Sequence, residues 1–223
     1  MILAFLNQKG GVGKSTLSIN AADCLHRQGF RTLLIDADPQ GTANDWASRR
    51  DSLPFPVVPL ARRNMAQEVL SHAGHYDHVV IDGPPRAEAL SRAVIIASDL
   101  VVIPIEASGA SDWASLTTIR QVQEARQYKE NLISVLLLSR VIPKTVIGRS
   151  IREHVADHGI PLLEAAVANR VPFAEALTMG ETIYEWSSRS AAAKEFSRVM
   201  QEIGAFYEQE RPDETAPHEA THG

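Results

Sequence analysis

The chain contains a single cysteine, Cys24, among 223 residues. One thiol cannot close an internal disulfide, and it excludes a multi-cysteine metal or iron–sulfur site built within one chain. It suits a reducing cytosol, and its place in an apolar helical stretch reads as a small buried side chain. No run of about 18 apolar residues occurs, so no membrane span is expected. No signal peptide is expected either: residues 2–6 are apolar, but no basic segment leads into them and no small-residue cleavage site follows. The apolar run stands at the start of this sequence, so an N-terminal DNA-reading domain is not expected. No internal repeat is visible. The net charge of −5 is not spread evenly. Residues 1–119 carry 10 basic and 12 acidic side chains, residues 120–200 carry 11 and 9, and residues 201–223 carry 1 and 6. The acidity therefore sits in the tail and the body is close to neutral.

What is present is an ordinary globular composition, 44% hydrophobic and 22% charged, long enough for a full core. Short apolar runs recur: ILAFL (2–6), RTLLIDAD (31–38), FPVVPL (55–60), DHVVIDG (77–83), DLVVIPI (99–105) and ISVLLLSRV (133–141). Several are nearly continuous and β-branched, as in strands covered on both faces. Helical patterns separate them, over 15–28 (stopped by Gly29), 63–72, 86–97, 111–130, 145–158 and 188–207. Strand–helix alternation of this kind predicts a doubly wound α/β fold, a mainly parallel sheet with helices on both faces. One domain is expected over 1–207. Residues 208–223, acidic with two prolines, are expected to form a disordered tail.

The densest chemistry lies in NQKGGVGKST, residues 7–16, between the first strand and the first helix. Gly10, Gly11 and Gly13 allow a backbone that aims successive N–H groups inward around Val12, forming an anion cradle. The following helix adds the positive end of its dipole. Lys14 is placed to reach the β- and γ-phosphates of a nucleotide and Ser15 to ligate Mg²⁺. The usual phosphate-loop pattern has glycine where this chain has Gln8. A second lysine, Lys9, stands at the loop's mouth, and the phosphate-binding pattern does not call for it. Three carboxylates stand at strand ends on the loop's side: Asp36 and Asp38 end the second strand, and Asp82 ends a later one. Ligands of open α/β sheets bind beyond the carboxyl ends of the strands. One such acid can hold the water shell of Mg²⁺ and another can orient an attacking water. Any one of them alone could simply cap a turn.

Taken together, KGGVGKST, LLIDADPQG (33–41), VVIDGPP (79–85) and VVIPIEAS (101–108) resemble the ParA-type partition ATPases, P-loop NTPases with a deviant Walker A loop. The resemblance covers about residues 1–207 and is nearest to the small form without a helix-turn-helix region. It implies an ATPase that binds ATP and Mg²⁺ and forms an ATP-sandwich homodimer. In that dimer Lys9 crosses to the partner's nucleotide and neutralises developing phosphate charge. The resemblance assigns Asp38 to the attacking water, Asp36 and Asp82 to the metal side through water, Ser15 to Mg²⁺ and Thr16 to the α-phosphate. It further implies a cytoplasmic, nucleoid-associated protein that holds DNA without reading sequence and answers to a centromere-binding ParB-type adaptor. The acidic end departs from the membrane-binding relatives, which end in a basic amphipathic helix. The position of Cys24 departs from the nitrogenase-reductase branch.

DNA contacts would come from cations far along the chain: Arg120, Arg126, Lys129, Lys144, Arg149, Arg152, Arg189, Lys194 and Arg198, with Arg149, Arg152, Arg189 and Lys194 foremost. A solvated helix face of mixed charge is the alternative, since nine acids share residues 120–200. Arg140 and the loop Asn169–Pro172 are candidates for purine contact. His72, His75 and His78 recur every three residues but straddle Gly74, so a metal is not expected there. Trp46, Trp113 and Trp186 are scattered and read as packing or interface residues. Pro84 and Pro85 stiffen the loop after Asp82. Two other functions remain open at this level. One is a positioning ATPase for a protein cargo. The other is a metabolic ATP-dependent P-loop ligase, which has no need of Lys9 in trans.

Overall fold

The computed structural model describes residues 1–106, 113–142 and 159–211. Seven strands form one sheet: β1 (Ile2–Phe5), β2 (Thr32–Asp36), β3 (Val57–Pro59), β4 (His78–Asp82), β5 (Leu100–Glu106), β6 (Ile133–Val141) and β7 (Leu162–Ala168). Their spatial order is β3-β2-β4-β1-β5-β6-β7, and every neighbouring pair is parallel. The helices are α1 (Lys14–Arg27), α2 (Thr42–Ala47), α3 (Met65–Ala73), α4 (Glu88–Ala97), α5 (Trp113–Arg126), α6 (Val171–Thr178), α7 (Ile183–Ser187) and α8 (Ala191–Glu210).

Strand side chains alternate between two cores. Leu3 and Phe5 of β1 face the core shared with α1 and α8, whereas Ile2 and Ala4 face the core shared with α3, α4 and α5. The sheet is thus covered on both faces, as its unbroken apolar strands require. Because β1 lies between β4 and β5, the loop leaving β1 crosses the centre of the sheet's C-terminal edge. Asp36 and Asp82 end β2 and β4 in register with each other on that same edge.

Strand β7 carries no clear strand signal, whereas the short helix α7 does carry a helix signal, the capping box of Thr182 and Glu185 at its start. Strand β7 reads LLEAAVA, with only one β-branched residue, and its Leu, Glu and Ala favour helix. Pairing with β6 overrides that preference. The amides on its free side are taken by the final helix: Glu202 accepts from the N–H groups of Glu164 at 2.6 Å and Ala165 at 2.7 Å, and Glu195 accepts from Ala168. These carboxylates blunt an edge that would otherwise invite another strand. Helix α8 continues to Glu210, three residues past the boundary expected at 207, and Arg211 pairs with Glu208 at 2.9 Å. The expected helix over 145–158 and the tail from 212 onward lie outside the described residues. Among the described residues no helix is long and apolar enough to cross a membrane.

Candidate functional site

The loop after β1 is held from beneath. Asn7 is fully buried; its amide donates to the Pro104 carbonyl at 2.7 Å and to Ser115 Oγ at 2.8 Å, while its Oδ1 accepts the Lys9 N–H at 2.9 Å. Gln8 stands where the usual motif has glycine, and it is buried as well. Its N–H donates to Thr118 Oγ1 at 2.9 Å, and its Nε2 donates to Ser91 Oγ and Gln121 Oε1, both at 3.3 Å. Its carbonyl accepts the Arg86 N–H at 3.2 Å. The missing glycine is therefore a polar anchor that ties the loop to α4, α5 and the segment after β4. Gly11 (φ 81°) and Gly13 (φ 91°) adopt the left-handed conformation that a side chain would strain. Val12 is buried, and its carbonyl accepts Ser139 Oγ at 2.9 Å. Gly10 and Gly11 remain exposed at the rim.

Lys14 opens α1 and is buried to 6% exposure. Its Nζ donates to the Lys9 carbonyl at 3.0 Å. Burial pulls its pKa below the usual amine value, opposed by Asp82 and then Asp38. Ser15 and Thr16 follow in the first turn, half-buried. Asp82 is fully buried; Oδ1 accepts Ser18 Oγ at 3.4 Å, and Oδ2 is a buried oxygen with no hydrogen-bond partner. Burial pushes its pKa up to about 7, against the hydrogen bond from Ser15; Asp36 pushes it further up and Lys14 pulls it down. Asp36 Oδ1 accepts the Asp38 N–H at 3.1 Å and Oδ2 the Asn44 N–H at 2.8 Å, while burial raises its pKa. Asp38, half-buried, accepts the Gln40 N–H at 2.9 Å through Oδ1. Gly83 lets β4 pass close to β1: a Cβ there would lie 2.7 Å from the Phe5 carbonyl oxygen.

Lys9 is anchored apart from the cradle. Its Nζ pairs with Glu106 Oε2, at the end of β5, at 3.1 Å. The other oxygen, Oε1, faces Arg140 Nε at 3.3 Å, and Arg140 donates back to the Gly11 carbonyl at 2.9 Å. Arg140 takes a positive φ of 53° to do so. Its guanidinium thus braces the phosphate loop. In the second purine candidate, Asn169 donates to the Val141 carbonyl at 2.9 Å, Arg170 pairs with Glu195 at 2.9 Å and Pro172 lies in the first turn of α6.

The remaining candidates divide. Arg189 is exposed just before α8, and Lys194 and Arg198 are exposed one turn apart along it. Arg120 is exposed on α5. Lys129 instead holds the carbonyls of Ile96 at 2.8 Å and Ser98 at 2.6 Å, and Arg126 holds that of Leu132 at 3.2 Å, so both act on backbone. Lys144, Arg149 and Arg152 lie outside the described residues. His72 ends α3, His75 follows in the next turn and His78 packs on Phe30; among the described residues no group of three His, Cys, Asp or Glu could hold a metal directly. Trp46 is buried, stacked on Phe55, and donates to the Glu181 carbonyl at 3.2 Å; Trp186 is partly exposed. Pro84 is buried beneath the loop after Asp82. Sequence reasoning did not single out Ser115, Thr118, Gln121, Ser139 or Glu106. A signal for three of them existed: polar residues every third position on α5, beside the apolar Ile119 and Val122.

Comparison with known proteins agrees with this geometry. The family model of the CobQ/CobB/MinD/ParA nucleotide-binding domain matches residues 3–183. Maintenance of carboxysome distribution protein A of Halothiobacillus neapolitanus is 31% identical over 206 residues, covering 90% of this chain and 95% of that protein. The sporulation initiation inhibitor protein Soj of Bacillus subtilis is 28% identical over 251 residues, covering 92% and 98%. Cobyrinic acid a,c-diamide synthase from Mycobacterium smegmatis, solved with an ATP analogue and magnesium, shares the fold at a TM-score of 0.75 and 19% identity, covering 97% of this chain and 99% of its own. On the family match and the 31% relative, the chain belongs to the CobQ/CobB/MinD/ParA family of nucleotide-binding proteins.

Proposed function

We propose that this chain is a ParA-type positioning ATPase whose ATP-bound homodimer holds DNA without reading its sequence. The observation that carries the reading is one loop with two differently anchored lysines, Lys14 beside Asp82 in the cradle and Lys9 on Glu106 at the rim. A loop that only binds a nucleotide needs one of them. The residues fit ATP with Mg²⁺: left-handed glycines form the cradle, and Asp82 keeps a buried, unpartnered carboxylate oxygen next to Ser15. When bound, ATP with Mg²⁺ supplies the phosphoanhydride whose hydrolysis ends the DNA-bound state. Ser15 and Asp82 hold the metal side. Asp36, with both oxygens on backbone amides, acts there through its remaining lone pairs and water. Thr16 takes the α-phosphate, Asp38 orients the attacking water, and Lys9 crosses to the second chain.

The cycle requires slow intrinsic turnover, because fast hydrolysis would empty the DNA-bound state before an adaptor arrives. That adaptor is a centromere-binding protein of ParB type if the cargo is a plasmid or chromosome, and the chain then works in the cytoplasm on the nucleoid. A protein assembly as cargo is the second reading, favoured by the relative named for carboxysome distribution. The unit doing this work is a single domain that runs through the end of α8 at Glu210, with acidic residues following in the sequence. Binding to a random-sequence duplex at low and moderate salt, with ATP, ADP or no nucleotide, tests the proposal. ATP-dependent, salt-sensitive, sequence-indifferent binding is expected, with Lys14→Ala losing nucleotide affinity and DNA binding together. ATP turnover with no DNA binding in any state would overturn it in favour of a metabolic ligase.

A further inference from the structure

We propose that Glu106 is the positioning residue that retains Lys9 within its own chain and so sets how much ATP is needed to bring two chains together. This rests on the reading of Lys9 as the lysine that crosses to a second chain. The start of the Lys9 side chain is fixed, because its N–H is held by Asn7 at 2.9 Å. Glu106 is fixed as well, as the last residue of β5, paired in register with Ser139 of β6. The 3.1 Å contact between them therefore opens only when the lysine side chain swings. A lysine that reaches across to another chain's phosphates must make that swing.

Two features suit the contact to opening. First, Glu106 keeps a partner when Lys9 leaves, since Arg140 holds its other oxygen at 3.3 Å. The departure strands no buried carboxylate, which is the main penalty for breaking an ion pair from one side. Second, the two side chains are 29% and 23% exposed, so the pair is screened by water and weak. A triphosphate with several charges can outcompete it. The pair thus sets a threshold rather than a block. Arg140, tied to the Gly11 carbonyl at 2.9 Å, braces the loop while the lysine exchanges, and β5 keeps the Glu106 backbone in place.

An exposed pair shifts an equilibrium by roughly twofold to fivefold, and a symmetric dimer opens two of them, so the dimer equilibrium shifts by roughly fourfold to twenty-fivefold; each dimer takes up two ATP, so the ATP midpoint moves by the square root, roughly twofold to fivefold. The experiment measures mass by light scattering against Mg-ATP concentration for the full chain and for Glu106→Gln, Arg140→Gln and Lys9→Ala. Glu106→Gln is expected to reach half-dimer at roughly twofold to fivefold lower ATP than the wild type. Arg140→Gln, which leaves the lysine's carboxylate in place, should not lower that midpoint. Glu106→Asp, a milder change that serves if Glu106→Gln folds poorly, should lower it less. A Glu106→Gln midpoint at or above the wild type, with Lys9→Ala failing to dimerise, overturns this inference and leaves the proposed function standing. So does an equal drop in Arg140→Gln, which would mean general loosening of the loop. Lys9→Ala dimerising like the wild type would overturn the trans role itself.

Discussion

At the opening of β4, Asp77 and His78 sit side by side, and both lose their contribution to stability in acid, over different pH windows. Asp77 accepts from Arg31 three times, from its N–H at 2.8 Å, its Nε at 3.2 Å and its second guanidinium nitrogen at 2.7 Å. Those bonds hold its carboxyl at about 2, so its contribution is full above the usual carboxylate range and lost only in strong acid. His78 is turned partly inward, ring edge against Phe30 at a centroid distance of 4.6 Å, with Nδ1 buried and unpartnered. Burial lowers its pKa, the Met1 ammonium lowers it further and Asp77 opposes. The sign follows: the folded state binds the proton less readily than the unfolded chain, so stability is full above the ordinary histidine value of about 6.5 and falls as pH drops below it. Replacing His78 with Phe keeps a ring and removes the titration. Melting temperatures at about pH 7.5 and about pH 5.5 should therefore drop less in His78→Phe than in the wild type. An equal drop in both would place the acid sensitivity elsewhere.

At the scale of elements, α5 is a scaffold for the phosphate loop: Ser115 supports Asn7, Thr118 supports the Gln8 N–H and Gln121 supports the Gln8 side chain. Thr118→Val keeps the shape and removes the acceptor, leaving a buried N–H unsatisfied. That should cost about 1–3 kcal/mol of unfolding free energy in a urea titration and weaken nucleotide binding in parallel. Stability lost with nucleotide affinity unchanged would show that the anchor does not position the loop. This scaffold also marks the limit of what could be read in advance. The loop, its three acids and the βαβ order were legible because strand ends and glycine spacing encode them locally. The role of Gln8 was not, since it depends on hydroxyls more than eighty residues away, and a lone glutamine in place of glycine looks like a defect in the motif. Glu106 was passed over for the same reason: its partners Lys9 and Arg140 meet it only through strand order. Strand β7 escaped because LLEAAVA has helical propensity and becomes a strand only by pairing with β6.

For the molecule as a whole, DNA binding by the proposed dimer needs cations on a face that packing leaves free. Helix α8 separates its faces clearly. Phe196, Val199, Met200 and Ile203 enter the core, while Lys194 and Arg198 stay exposed on the other side, one turn apart. Arg189 is exposed just before the helix begins. A DNA contact made there is electrostatic and reads no bases, so its mark is the salt dependence of affinity rather than a sequence preference. Each cation that meets a phosphate contributes a slope of about 0.9 in log affinity against log salt, and a two-fold dimer counts every residue twice. Replacing Lys194 or Arg198 with Ala should therefore reduce the slope by about 2 per residue while leaving ATP-dependent dimerisation and the melting temperature unchanged. Lys129→Ala offers the contrast. Its ammonium holds backbone carbonyls at the end of α4, so its loss should lower stability and leave the salt slope alone. A full slope in Lys194→Ala and Arg198→Ala, measured by fluorescence anisotropy on a random duplex, would exclude the α8 face from the DNA interface. A lowered slope in both would fix that interface on the final helix, which packs against β7 and α1 and so connects the DNA face to the helix that carries Lys14.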